Sequence, residues 1–320
     1  MKDTKYPAIL SVIVIFWSLS CVTLFPNTAR DIPTTSASKT TTLPTVVSAT
    51  SIPINNFSGY IVYNKGDYIY SINADGTNDT RLATGKSPVW SPNGDTIAFL
   101  SDPDGDFNYD IFLMNSDGTN QRPLLSNQKD YVDPRHLDWL SSGNFIIFGA
   151  LSLRDGDNGY DIFSIDVDST TLLKIPRKVS DVWSPSWSPD GKQIIFVTTE
   201  SADDQTGDIF IINVDGTGEK MLTDKGFNDF PAFSPDGELI SFMSVKSLDI
   251  GSRIYIMNAD GTNQSLLSDN TASFPVWSPD GQYIMFTSTN KENISQLFII
   301  GIDGTQLTYL TDGGGGDWKP

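Results

Sequence analysis

A six-bladed β-propeller, all-β with four antiparallel strands per blade, is the fold this sequence predicts. Three observations carry the expectation. A phrase of the form P-x-W-S-P-D-G stands at Val89-Trp90-Ser91-Pro92-Asn93-Gly94, Ser186-Trp187-Ser188-Pro189-Asp190-Gly191, Ala232-Phe233-Ser234-Pro235-Asp236-Gly237 and Val276-Trp277-Ser278-Pro279-Asp280-Gly281. A worn copy is Asp138-Trp139-Leu140-Ser141-Ser142-Gly143, and Gly94, Gly143, Gly191, Gly237 and Gly281 follow one another at 49, 48, 46 and 44 residues. A second phrase, D-G-T, runs in phase at Asp75, Asp117, Asp215, Asp260 and Asp303, with Asp168-Ser169-Thr170 degenerate. A period in the forties that carries several short strands is the mark of a propeller, and six repeats of roughly 45 residues nearly fill the chain after its first 56.

Residues 1–21 read as an export signal: Lys2 and Lys5 precede the apolar run Ala8 to Leu19, and Cys21 follows Ser18-Leu19-Ser20. That end resembles a bacterial lipobox, with Ser18 where such boxes carry Leu, so Cys21 is the expected lipidation site. The alternative is an uncleaved anchor, since Ala8 to Phe25 is just long enough to span a bilayer. Either way the remaining chain is expected outside the cytoplasm. Residues 22–56 are dense in Thr, Ser and Pro and poor in aromatics, the composition of a disordered tether. The propeller is expected over 57–320.

Within a repeat, Val89-Trp90 opens strand A, and Pro92-Asn93-Gly94 turns the chain because Pro presets φ and Gly accepts the left-handed corner. Ile97 to Leu100 is strand B. Asp110 to Asn115 is strand C, apolar on both faces as a strand between two blades must be. Asp117-Gly118 is a hairpin signal leading into strand D, which ends at Leu124-Leu125. The first blade, Tyr60 to Leu82, lacks a strand A. Leu82 to Pro92 and Leu310 to Pro320 align without a gap, so Trp318 matches Trp90. The C-terminal strand is therefore expected to complete the first blade and close the ring, which removes the open edge.

P-x-W-S-P-D-G together with D-I-F-x-x-N-x-D-G-T resembles the TolB-type WD-like repeat, over about residues 57–320. The resemblance implies an envelope propeller. TolB itself binds a peptidoglycan-associated lipoprotein and carries a folded α/β domain ahead of its propeller. Here a tether stands in that place, so TolB's own role is not what the resemblance implies. The same repeat occurs in prolyl-peptidase-type hydrolases and in a pectate-fragment lyase, which keeps an enzyme in view.

The net charge of −18 excludes nucleic acid as a partner, because phosphate binding needs a basic footprint. The tight S-P-D-G and D-G-T turns share one face and have a sufficient structural cause. The longer B–C and D–A loops share the other, where binding usually resides. Tyr131, Trp183, Phe227, Phe230 and Phe274 are expected in D–A loops near the channel mouth. There they can grip a peptide or a sugar, or simply fill gaps between blades. Asp102, Asp104 and Asp106, and the Asp155-Gly156-Asp157-Asn158 loop, offer alternating oxygens to a Ca²⁺ ion, or are plain hairpin loops; no cofactor is required. No catalytic residue is assigned: there is no G-x-S-x-G elbow and no Cys/His cluster, and the single histidine, His136, reads as a loop residue. The expected function is a lipid-anchored, non-catalytic module binding an envelope protein or glycan. The alternative is a propeller-type lyase or hydrolase acting on an extracellular polymer.

Overall fold

The computed structural model describes residues 57–126, 131–153, 159–176, 181–198, 207–247 and 251–319. Cys21, the signal segment, the tether, Pro320 and the loop at Asp155 to Asn158 lie outside them. The first blade contributes β1 (Tyr60–Lys65), β2 (Tyr68–Asn73) and β3 (Thr80–Thr84). The second is β4 (Lys86–Trp90), β5 (Thr96–Ser101), β6 (Asp110–Asn115) and β7 (Arg122–Leu125), and the third is β8 (Tyr131–Trp139), β9 (Phe145–Ser152), β10 (Tyr160–Asp166) and β11 (Leu172–Lys174). The fourth is β12 (Val182–Trp187), β13 (Gln193–Thr198), β14 (Asp208–Asn213) and β15 (Lys220–Met221). The fifth is β16 (Phe227–Phe233), β17 (Leu239–Val245), β18 (Arg253–Asn258) and β19 (Ser265–Leu266). The sixth is β20 (Ser273–Trp277), β21 (Tyr283–Thr289), β22 (Ser295–Gly301) and β23 (Thr308–Asp312), and β24 (Gly314–Lys319) follows. Each blade is one four-stranded antiparallel sheet in chain order, except that β24 joins the first sheet beside β1. The innermost strands pack in sequence, β4 on β8, β8 on β12, β12 on β16, β16 on β20, β20 on β24 and β24 on β4. The ring is closed.

Its core is divided among the blade boundaries, one apolar cluster at each. This explains why strands B and C are apolar on both faces. On β5, Ile97 and Phe99 face the first blade while Ala98 and Leu100 face the third. An aromatic pair links β-partners at the centre of every blade: Tyr63–Tyr70, Phe99–Phe112, Phe148–Phe163, Phe196–Phe210, Phe242–Tyr255 and Phe286–Phe298. Each pair sits directly across the ladder, where cross-strand aromatic contacts stabilise a sheet.

Closure follows the predicted register, with Trp318 opposite Ile61. The glycine run of β24 has a steric cause. A Cβ on Gly316, at φ +135°, would lie 2.2 Å from the Val62 carbonyl oxygen. Trp318 is 6% exposed, and its indole Nε1 donates to the Ser58 carbonyl at 3.0 Å. Phe57 sets its ring edge-on to Trp318 and Tyr283, so the chain enters the propeller already packed against the closing strand.

Candidate functional site

One end of the propeller is chemically self-contained. In the S-P-D-G turns the Ser hydroxyl donates to the side chain two residues on, from Ser91 to Asn93, Ser188 to Asp190, Ser234 to Asp236 and Ser278 to Asp280, at 2.6–2.8 Å. In the D-G-T turns the Thr hydroxyl donates to the Asp carboxylate at 2.6–2.7 Å, and the Thr N–H donates to it as well. These bonds hold Asp75, Asp117, Asp215, Asp260 and Asp303 below the usual carboxylate range. These five carboxylates are consumed by the turns they make.

The other end differs, and here the structure corrects the sequence reading. Tyr131, Trp183, Phe227, Phe230 and Phe274 lie within the innermost strands rather than in D–A loops, and so does His136, in β8. Each innermost strand runs further back than its P-x-W core because a bulge lets both halves pair with the next strand. Three residues before each core aromatic stands a residue in the left-handed region. These are Ser87, His136, Ser184, Phe230, Phe274 and Gly315, with φ of 50°, 52°, 49°, 51°, 53° and 58°. For a residue with a Cβ this conformation costs about 1 kcal/mol or more. The sixfold recurrence means the propeller framework imposes it.

That ring of equivalent positions runs around the innermost strands, and its chemistry is lopsided. His136 meets Phe230 edge-on at 5.3 Å and Phe230 meets Phe274 at 4.1 Å, an aromatic wall across the third, fifth and sixth blades. Ser87 and Gly315 leave the opposite side small. Tyr131 is placed elsewhere: it is 3% exposed and packs on Phe148 and Phe163 between the second and third blades. Trp183 is half-buried at the boundary of the fourth and fifth blades and hydrogen-bonds Asp229. Phe227 is the half-buried first residue of β16. Of the five aromatics, the structure brings only Phe230 and Phe274 together.

Carboxylates join this wall. The Ser184 hydroxyl donates to Asp229 at 2.6 Å and stands 3.4 Å from His136 Nδ1, which accepts the Ser184 N–H at 3.2 Å. Burial pushes Asp229 up to about 6 against its bonds to Ser184 and Phe230. Burial also holds His136 down to about 4, with Arg135 adding to the effect, so the imidazole is neutral at pH 7. Asp138 and Asp317 occupy equivalent places, just before Trp139 and Trp318. Each accepts the backbone N–H of the core Trp in the following blade, Trp187 at 2.7 Å and Trp90 at 2.8 Å. Burial raises Asp138 to about 6 and Asp317 to about 7. The Asp-Trp dipeptides were visible in the sequence; a link to the neighbouring blade was not.

On the same end, the loop after β5 holds Asp102, Asp104 and Asp106, one oxygen from each lying within 4.8 Å of the others. Asp102 accepts the N–H groups of Gly105 and Phe107, and Asp106 accepts that of Asn108. Asn108 in turn accepts the Asp133 N–H of the third blade at 2.8 Å, and Asp133 takes the Tyr160 hydroxyl at 2.8 Å and pairs with Arg135.

Comparison with known proteins places these features in context. The model of the TolB beta propeller domain matches residues 149–320, more than half of the chain. An uncharacterised protein of Agrobacterium fabrum is 27% identical over 224 residues, covering 66% of this chain and 72% of its own. The Tol-Pal system protein TolB of Francisella tularensis is 26% identical over 221 residues, covering 65% of this chain. That match spans 48% of the TolB relative's length. Among solved structures, TolB from Acinetobacter baumannii superposes with a TM-score of 0.67 at 21% identity, covering 82% of this chain and 67% of that one.

Proposed function

The chain belongs to the TolB beta-propeller domain family, and on that premise we propose that it is a non-catalytic binding or scaffold module of the cell envelope, held outside the membrane by a lipid on Cys21. The observation that carries the reading is the contrast between the two ends. The turns at one end repeat with their polar groups satisfied. At the other end a single backbone position, fixed by the framework, bears Ser, His, Ser, Phe, Phe and Gly in turn. Variation on a constant frame, with an aromatic cluster on the innermost strands, supports recognition of an envelope protein or glycan there.

The trio of His136, Ser184 and Asp229 invites a hydrolase reading, and its geometry argues against one. An activated serine gives its proton to an imidazole. Here the Ser184 hydroxyl donates to Asp229, and His136 Nδ1 receives a backbone N–H. The trio ties three blades together.

Membrane attachment is tested by Cys21→Ser. The lipid reading expects the variant in the soluble fraction, or accumulating as precursor, under mild extraction that leaves the parent membrane-bound. Equal retention of both, with the N-terminus intact, identifies an uncleaved anchor instead. The spacing of the Asp102, Asp104 and Asp106 oxygens supports a Ca²⁺ ion at that loop. At a hundredfold excess over its dissociation constant such an ion adds about 2.7 kcal/mol to stability. Melting curves in millimolar calcium and in chelator should then separate, and coincident curves return the loop to a plain hairpin.

A further inference from the structure

We infer that the tip of the second blade at the variable end is a docking surface for a protein partner presenting an apolar cleft rimmed by lysine or arginine. The inference rests on the binding reading above and names the chemistry of the partner. Its centre is Phe107. A phenylalanine 89% exposed, in a left-handed conformation at φ +67°, costs free energy twice over, in solvation and in the backbone. Nothing in the described chain covers it.

The loop beneath it is nonetheless built. Both Asp102 oxygens hold it from below, Asp106 closes its far end, and Asn108 fastens it to the innermost strand of the third blade. A pre-organised loop that displays its largest apolar side chain loses little entropy when that side chain is buried by a partner. The topology puts a second exposed apolar residue, Leu153 at 49%, at the same end of the adjoining blade, just after β9.

Charge selects the partner. Asp104 and Asp106 are exposed just ahead of Phe107 in the same loop, on a chain of net charge −18. Among the described residues, two bases on the innermost strands of the second and third blades are engaged: Lys86 lies over the Tyr109 ring, and Arg135 pairs with Asp133 over Tyr160. An exposed aromatic anchor beside exposed carboxylates fits an apolar cleft bordered by basic side chains. It repels anionic lipid headgroups. It also protrudes, whereas small-ligand sites are concave.

The test is selection of a random dodecapeptide library on the full chain, in chelator so that no calcium ion competes for the carboxylates. Recovered clones are measured against Phe107→Asn, a residue that tolerates the left-handed conformation and so spares the loop. They are also measured against the Phe230→Ala/Phe274→Ala and Thr119→Ala/Thr262→Ala pairs. The expected clones pair Lys or Arg with large apolar residues. They lose affinity about tenfold or more on Phe107→Asn, weaken on Asp104→Asn with Asp106→Asn, and weaken as salt rises. Clones that ignore Phe107→Asn but fail on the Phe230/Phe274 pair keep the binding end and overturn the Phe107 surface. Clones that fail only on the threonine pair overturn both. Recovery of no clone, or of acidic clones, overturns the docking surface.

Discussion

Deleting residues 317–320 is expected to lower stability by at least about 3–5 kcal/mol, the range for losing one large buried aromatic, and to lower the melting temperature by about 10 °C or more. Trp318 sits in the cluster that joins the sixth blade to the first, with Ile61, Tyr63, Met285 and Leu297 around it. The segment also ties the first blade to the second. Asp317 accepts the Trp90 N–H, and Lys319 lies 4.1 Å over the Trp90 ring while its Nζ donates to the Gly94 carbonyl. The deletion leaves the edge of β1 from Tyr60 to Val62 unpaired, and an open edge recruits other chains. Scanning calorimetry and light scattering read both effects. An unchanged melting temperature with a monodisperse profile would exclude β24 as the closure.

Stability is expected to fall as pH rises from about 5 to 7.5, the reverse of the usual acid sensitivity. Asp138, Asp229 and Asp317 have folded values of about 6, 6 and 7, raised from 3.8 by burial. The unfolded chain therefore releases these protons first, unfolding is coupled to proton loss, and stability declines until the folded values are passed. Asp317 alone, displaced by about three units, is worth about 4 kcal/mol in all, of which roughly 2–3 kcal/mol is lost over that window. Below about pH 4 the turn acids act in the opposite sense. Their folded values are depressed, so protonating them removes stability. The maximum should lie near pH 4–5. Asp317→Asn keeps an acceptor for the Trp90 N–H and removes the charge, so it should raise the melting temperature at pH 7.5 and flatten the profile. Asp317→Ala abandons that N–H and should lower the melting temperature at every pH. A wild-type profile that rises from pH 5 to 7.5, or an Asn variant weaker than its parent at pH 7.5, contradicts the burial of the charge.

The fold was legible because its signals are local and repeated. Pro92, Gly94 and their copies are dictated by turn geometry, and the gap-free match of Trp318 to Trp90 located the closing strand. The start of each innermost strand was hidden for a physical reason. The left-handed position is enforced by the bulge and by packing between blades, so it accepts Ser87, His136, Phe230 or Gly315 with no common chemistry to read. It is fixed only by its phase, three residues before the core aromatic. Phe230 and Phe274 therefore read in the sequence as mouth aromatics in loops, whereas the structure sets them inside β16 and β20. Tyr131 was grouped with them although it packs between blades. Nothing local links Ser184 to Asp229, because 45 residues of sequence separate two groups that the ring sets 2.6 Å apart. Asp138 and Asp317 escaped as well, since their partners, Trp187 and Trp90, belong to the next blade.

Whether the variable end does the binding is decided most directly by comparing two pairs of substitutions in one capture experiment on envelope extract, with melting curves run in parallel. Phe230→Ala with Phe274→Ala removes the aromatic wall, and Thr119→Ala with Thr262→Ala alters only the turn end. The expected result is loss of the captured partner by the phenylalanine pair, at about 2 kcal/mol or more for each anchor, with a cooperative melt retained. The threonine pair should capture as the parent does. Capture lost by the threonine pair and kept by the phenylalanine pair would contradict the assignment and move the binding surface to the turns.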